Sequence, residues 1–293
     1  MTILFVHQNF PGQFKHIVNS LSNQRHIGLT ISKPTEPVPG AWKVYQYHIR
    51  RGNQPGLIPS LQDLESKTIR AEACAQAAEQ LLKKGLNPQL IIGHPGWGEL
   101  MFLGEIWPKT PILSYQEFYY QPHGFDFDFD PEFQCSPDWQ SCAKLKLKTV
   151  NQRLSLEASN WCISPTRFQR SSYPNKDQNI ISTIHDGIDT KNAKPSQKSF
   201  AVTLDIGLTI QKGDSVVTFV NRTLEPYRGC HTFIRSIPFI QKLAPEAQII
   251  VVGDTKGVSY GAPCQDGEWK DIFLGEIEGK YDPSRVHFVG KLP

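Results

Sequence analysis

Three stretches of this sequence bring anion- or hydroxyl-binding side chains together with glycines. The first is His7-Gln8-Asn9-Phe10-Pro11-Gly12-Gln13-Phe14, in which Gly12 can bring backbone N–H groups close to an anion at a helix start. A tight turn that demands glycine explains the same residue equally well. In the second, His94-Pro95-Gly96-Trp97-Gly98-Glu99, the imidazole can bond a hydroxyl or a phosphate and the carboxylate can orient hydroxyls. A capped helix start, with His94 on backbone and Trp97 in the core, is the plainer reading. The third is Asn221-Arg222-Thr223-Leu224-Glu225-Pro226-Tyr227-Arg228-Gly229, with two guanidiniums flanking a turn. A guanidinium fork matches phosphate oxygens in pairs, as a departing diphosphate requires, and surface ion pairs are the alternative use of both arginines.

Other stretches carry weaker signals. Phe125-Asp126-Phe127-Asp128-Phe129-Asp130-Pro131-Glu132 contains Asp-x-Asp twice, a pattern some metal sites use. Its alternation equally describes a half-buried extended segment, apolar on one side and acidic on the other. Tyr115, Glu117, Tyr119 and Tyr120 lie beside it and can line a groove for a sugar, or pack as a loop. Lys144-Leu145-Lys146-Leu147-Lys148 can touch an anionic surface or form a solvated helix face.

The elements that would position these residues alternate. Thr2–Val6, Ile27–Ser32, Trp42–Tyr47, Leu90–Gly93, Pro111–Tyr115, Trp161–Ser164 and Ile180–Ile184 read as strands. Helices are expected over Lys15–Ser22, with Phe14, Ile17, Val18 and Leu21 on one face, over Leu61–Lys84 with Gly85 as its cap, and over Lys144–Ala158. Phe118–Trp139 has no clear period and reads as an ordered excursion. Composition shifts at Thr190–Ser199, so a first domain over 1–190, a linker over 191–199 and a second domain over 200–293 are expected. The second resumes with strands Ser215–Val220, Gln248–Val252 and Val286–Val289 and a helix over Gly229–Leu243. The fold class is therefore α/β, with two Rossmann-like domains. So few elements leave the second sheet incompletely covered, and it reads as unfinished.

Composition narrows the function. At 39% hydrophobic and 20% charged residues the 293-residue chain is an ordinary globular protein, and a formal charge of +3 with both signs interspersed argues against a nucleic-acid partner. No apolar run is long enough to span a bilayer. Met1 leads straight into a strand, without the charged segment of a secretory signal. Cys74, Cys135, Cys142, Cys162, Cys230 and Cys264 include no C-x-x-C pair, which suits free thiols in the cytoplasm. No G-x-G-x-x-G follows a strand, which counts against a nicotinamide dinucleotide site.

Taken in order, Phe5–Phe14, Gly93–Glu99, Ile163-Ser164-Pro165-Thr166, His185-Asp186-Gly187-Ile188-Asp189, Arg222–Gly229, Val251-Val252-Gly253-Asp254 and Val286-His287-Phe288-Val289-Gly290 resemble glycosyltransferase family 4, the retaining enzymes of GT-B fold. The likeness runs the length of the chain. It implies two Rossmann-like domains, the acceptor mainly on the first and a nucleotide-sugar donor mainly on the second. Transfer with retention to a carbohydrate or lipid-linked acceptor is expected, with no metal and no cofactor, the nucleotide sugar being a substrate. Arg222 resembles the arginine that contacts the donor diphosphate, and Arg228 stands where a lysine is more usual. His94 resembles the histidine that reaches the donor sugar, and Gly12 the flexible turn near the donor phosphates. His7, Glu99, Glu117, Tyr119 and Tyr120 are the acceptor-side candidates. Asp186 stands where many members have Asn. The family continues through further strands to a spaced glutamate pair that holds sugar and ribose, and the sequence stops at Pro293 before those strands. Impaired catalysis through truncation is therefore expected, with a non-catalytic glycan-binding fragment or partner subunit as the other reading. A cytoplasmic protein, with room for contact at the inner membrane face, completes the expectation.

Overall fold

The computed structural model describes residues 1–34, 38–133, 137–195, 201–204 and 206–292. Cys135, part of the excursion after Phe118 and residues 196–199 of the expected linker lie outside them. The chain divides into two compact units, Met1–Asp189 and Thr190–Pro293.

The first unit is built on short parallel strands, mostly apolar and most deeply buried at the centre: β1 Ile3–Val6, β2 Ile27–Thr30, β3 Lys43–Gln46, β4 Leu90–Gly93, β5 Ile112–Tyr115, β6 Trp161–Ser164 and, shorter, β7 Ile181–Thr183. They form one parallel sheet in the order β3-β2-β1-β4-β5-β6-β7. The order reverses beside β1, so β1 and β4 flank the switch point where open α/β sheets hold ligands at strand carboxyl ends.

Alternate residues of β1 feed two cores. Leu4 and Val6 join Leu29, Ile91, Leu100 and Trp107 under the helix α2, Gln62–Lys83, which contributes Cys74 and Ala78. Ile3 and Phe5 join Phe10, Phe14, Val18 and Trp42 on the other face, beneath α1, Lys15–Ser20. A turn of 3-10 helix at Gly12–Phe14 leads into α1, and the change of pitch leaves Ile17 at 42% exposure instead of on the expected apolar face. At the end of α2, the Gly85 and Leu86 N–H groups bond the Leu82 and Leu81 carbonyls at 2.8 and 2.9 Å, closing the helix as its glycine foretold.

After the short helix α3, Leu103–Ile106, the segment from Lys144 to Ala158 differs from the single expected helix. It is two: α4 Trp139–Lys148, capped by Asp138, and α5 Val150–Ala158. The Lys67 ammonium takes the Lys148 carbonyl at 3.0 Å and the Thr149 hydroxyl bonds back to Lys146 O at 3.0 Å, so the helical ladder is interrupted there. α6 Arg167–Ser171 follows β6.

The second unit opens with a hairpin of β8 Ala201–Thr203 and β9 Thr209–Gln211, which the sequence pattern did not signal. A parallel sheet β10-β11-β12 follows, from Val216–Thr223, Gln248–Asp254 and Val286–Gly290. α7 Cys230–Leu243 and α8 Trp269–Glu276 pack against each other and onto it, Phe219 stacking on Phe233 at 4.5 Å between centroids. The five described cysteines are free thiols.

Candidate functional site

In the first unit His7 directly follows β1, His94 directly follows β4, and Glu117 lies two residues beyond β5. The sheet register therefore places all three at neighbouring strand ends. The backbone N–H of Gly96 donates to His94 Nδ1 at 3.0 Å, which leaves the proton on Nε2, and Nε2 donates to Glu117 Oε2 at 3.1 Å. His7 repeats the device. The Asn9 N–H donates to its Nδ1 at 2.9 Å and its Nε2 donates to Gln13 Oε1 at 2.5 Å.

Each imidazole lies directly over a glycine. A Cβ on Gly12 would stand 2.2 Å from His7 Cε1, and one on Gly96 would stand 2.6 Å from His94 Cε1. Glycine at both positions is thus a condition for the rings to occupy their places.

The His94 ring is tilted by 31° to both Trp97 and Tyr115, with centroids at 4.7 and 5.5 Å, and the His7 ring meets it edge-on at 5.6 Å. Tyr115 OH donates to both Asp186 oxygens, at 2.8 and 3.0 Å, so the turn after β7 is tied to this cluster. The Pro95 carbonyl accepts from Asn151 at 2.7 Å, and Asn151 in turn accepts from Lys67 at 3.2 Å. The loop bearing His94 is therefore braced from α2 and α5.

Electrostatics divide the labour. Burial, reinforced by His94 nearby, lowers the pKa of His7 to about 4, so the ring is neutral at physiological pH. Both its nitrogens are committed, to Gln13 and to the Asn9 N–H. The hydrogen bond from His94 holds the Glu117 carboxyl below the usual carboxylate range. The Glu117 side chain is 48% exposed and its Oε1 bonds no described residue, so it can accept a hydrogen bond from an incoming hydroxyl.

The other acceptor-side candidates lie elsewhere. Glu99, expected to orient hydroxyls, is fully buried and accepts from Tyr47 OH at 2.7 Å, and burial raises its pKa. Its carboxylate faces the core, out of a ligand's reach. Tyr119 packs on Tyr173 with centroids 5.4 Å apart and is nearly buried, while Tyr120 carries the Lys148 ammonium 3.7 Å over its ring. Of the Asp-x-Asp acids, Asp126 accepts from Gln121 N–H and Asp128 from Gly124 N–H, both within their own loop. That loop winds through bends and forms no strand.

In the second unit Arg222 is exposed at the end of β10 and forms no ion pair with a described residue. Arg228 bonds Glu225 through Nε at 3.1 Å. Glu225 is fully buried and also accepts from the Ser259 and Tyr260 N–H groups in the connection after β11. Asp186, Glu225 and Tyr260 were not marked as site residues in the sequence. Only the strand-end positions of their neighbours pointed their way.

Two Rossmann-like units with polar groups gathered at strand carboxyl ends are the architecture of the GT-B fold class. The match to the family model described as glycosyl transferase family 4 group runs over residues 23–193, more than half the chain, and the chain belongs to that family. Among solved structures, the α,α-trehalose 6-phosphate synthase of Burkholderia multivorans is similar at 11% identity and a TM-score of 0.54, with 100% of this chain and 72% of that one covered. The catalytic domain of starch synthase IV from Arabidopsis thaliana, bound to ADP and acarbose, is similar at 12% identity and a TM-score of 0.56, with 100% and 74% covered. An E. coli trehalose-6-phosphate structure bound with UDP-2-fluoro glucose is similar at 12% identity and a TM-score of 0.54, with 99% and 74% covered. No curated protein matches the chain. No helix among the described residues is long and apolar enough to cross a membrane.

Proposed function

We propose that the protein transfers a sugar from a nucleotide-sugar donor to a hydroxyl of a carbohydrate or lipid-linked acceptor, with retention of anomeric configuration, in the cytoplasm. The observation that carries this reading is the Glu117–His94 pair. It offers a half-exposed carboxylate with a free oxygen, fixed at a strand end inside the region the family model matches. Glu117 would accept the acceptor hydroxyl's hydrogen bond. His94, donating through Nε2, would keep that carboxylate ionised and oriented.

On the donor side Arg222 and the terminal nitrogens of Arg228 would neutralise the diphosphate as the bond from the anomeric carbon to phosphate oxygen breaks. The acceptor oxygen bonds that carbon from the same face, and its proton leaves to solvent. Arginine supplies the positive charge, so the reading calls for no metal. The likeness of fold to proteins bound with ADP or a UDP sugar supports a nucleotide diphosphate as the leaving group.

The test is turnover of a panel of UDP-, ADP- and GDP-sugars with mixed glycoside and lipid-phosphate acceptors, in chelator. Arg222→Ala is expected to lower kcat about 100-fold or more, the loss seen when one preorganised charge-stabilising donor is removed. Because Arg222 is exposed, its thermal midpoint should stay that of the wild type. Turnover unchanged in Arg222→Ala would remove the assignment.

A further inference from the structure

The second unit contains a carboxylate with no access to solvent, Glu225, whose contacts join two separate connections of the fold. Its Oε1 accepts from Arg228 Nε and from the Tyr260 N–H, both at 3.1 Å, and its Oε2 accepts from the Ser259 N–H. Arg228 stands on the connection after β10, and Ser259 and Tyr260 on the connection after β11. The two are joined again where Thr223 Oγ1 meets Ser259 Oγ at 2.6 Å, and where Leu224 N–H donates to the Asp254 carbonyl at 2.8 Å. A buried charge is tolerated only when it is paired and hydrogen-bonded, and three donors converge here to meet that condition.

Two consequences follow for the groups that Glu225 holds. Arg228 has Nε committed, while its two terminal nitrogens bond no described residue. The guanidinium is thus held through Nε, and the side chain stays part-exposed. Tyr260 is anchored through its own backbone. Its ring centroid lies 5.3 Å from the Arg228 guanidinium carbon and 5.3 Å from the Tyr227 ring, to which it is inclined by 27°. Despite these neighbours Tyr260 remains 45% exposed. One buried carboxylate therefore holds a cationic fork over a ring that is still half-exposed, beyond the carboxyl ends of adjacent parallel strands.

We infer that Tyr260 is the stacking surface for the base of a nucleoside diphosphate. The inference rests on the reading above, in which the arginines take the diphosphate. A nucleoside diphosphate has an anionic end and a flat aromatic end joined by one ribose, and the ring-to-guanidinium distance is on the scale of that one sugar. Every base has a π face, so the ring binds uridine and adenine nucleotides alike, and choice between them falls to groups at the base edge.

The test is calorimetric titration of the full chain with UDP, ADP and inorganic pyrophosphate. Tyr260→Ala is expected to weaken UDP and ADP about tenfold, within the range for loss of a base–aromatic stack. Pyrophosphate binding should stay unchanged, and Tyr260→Phe should restore wild-type affinity. UDP binding equal in Tyr260→Ala and wild type overturns the role of the ring while leaving the diphosphate reading in place. Pyrophosphate weakened along with UDP also overturns it, because the variant has then disturbed the connection and not a stack. A wild-type chain that binds none of the three overturns the diphosphate reading itself, and this inference with it.

Discussion

His7 and Gly12 constrain each other. The imidazole occupies the space a Cβ would need, and its two nitrogens are taken by the Asn9 N–H and Gln13. No proton can be added at Nδ1 without breaking the bond from Asn9. The sign of the resulting pH dependence follows directly. His7 falls from 6.5 to about 4 on folding, chiefly through burial, so between those pH values the unfolded chain binds the extra proton and the folded chain does not. Stability is therefore full above pH 6.5 and falls as the pH drops toward 4, by about 3 kcal/mol at most. Urea unfolding of wild type and His7→Asn across this range should show the variant's profile to be the flatter. Burial also lowers His26, which keeps part of the slope in both proteins, so the difference between the two profiles isolates His7. Parallel profiles would mean that His7 takes up its proton without leaving its place.

At the scale of elements, α2 owes its close approach to the sheet to small residues on its inner face. Ala71, Cys74 and Ala78 are fully buried, and Cys74 and Ala78 belong to the core of Leu4, Val6 and Ile91. Ala78→Leu would force three carbons into this layer. A loss of ~1–3 kcal/mol is expected, read as a lower urea midpoint at unchanged slope, since overpacking a filled core strains rotamers and backbone. This helix and the buried strands were legible because each advertises a period or an unbroken apolar run. The hairpin β8–β9 was not, because its three-residue strands are almost wholly exposed and bury no stripe. α8 went unread for a related reason. Within its span only Phe273 is buried, and Gly275 interrupts it. At the site, His7, His94 and the arginines were visible as polar residues at strand ends. Their pairings were not. Glu117 lies 23 residues from His94 and Ser259 lies 34 from Glu225, separations that only the parallel crossovers bridge.

The whole molecule comprises two compact units, each with its own parallel sheet and helices. Single domains of this size unfold cooperatively, and a chain of two such units need not do so in one step. Two transitions are expected in calorimetry, and each has its own handle. Ala78→Leu lies in the first unit and should lower one midpoint while leaving the other in place. A nucleotide bound at Arg222, Arg228 and Tyr260 engages the second unit, and should raise only the other. At a UDP concentration 100-fold above Kd the increment is about 2.7 kcal/mol, because a ligand that binds only the folded form stabilises it by mass action. Glu225→Gln connects this scale to the residue beneath it. The variant keeps the shape of the side chain but loses the charge that three donors converge on, so the second unit's midpoint should fall even without ligand, and the UDP increment should shrink as Arg228 loses its grip. A single transition displaced equally by Ala78→Leu and by UDP would show instead that the two units unfold as one.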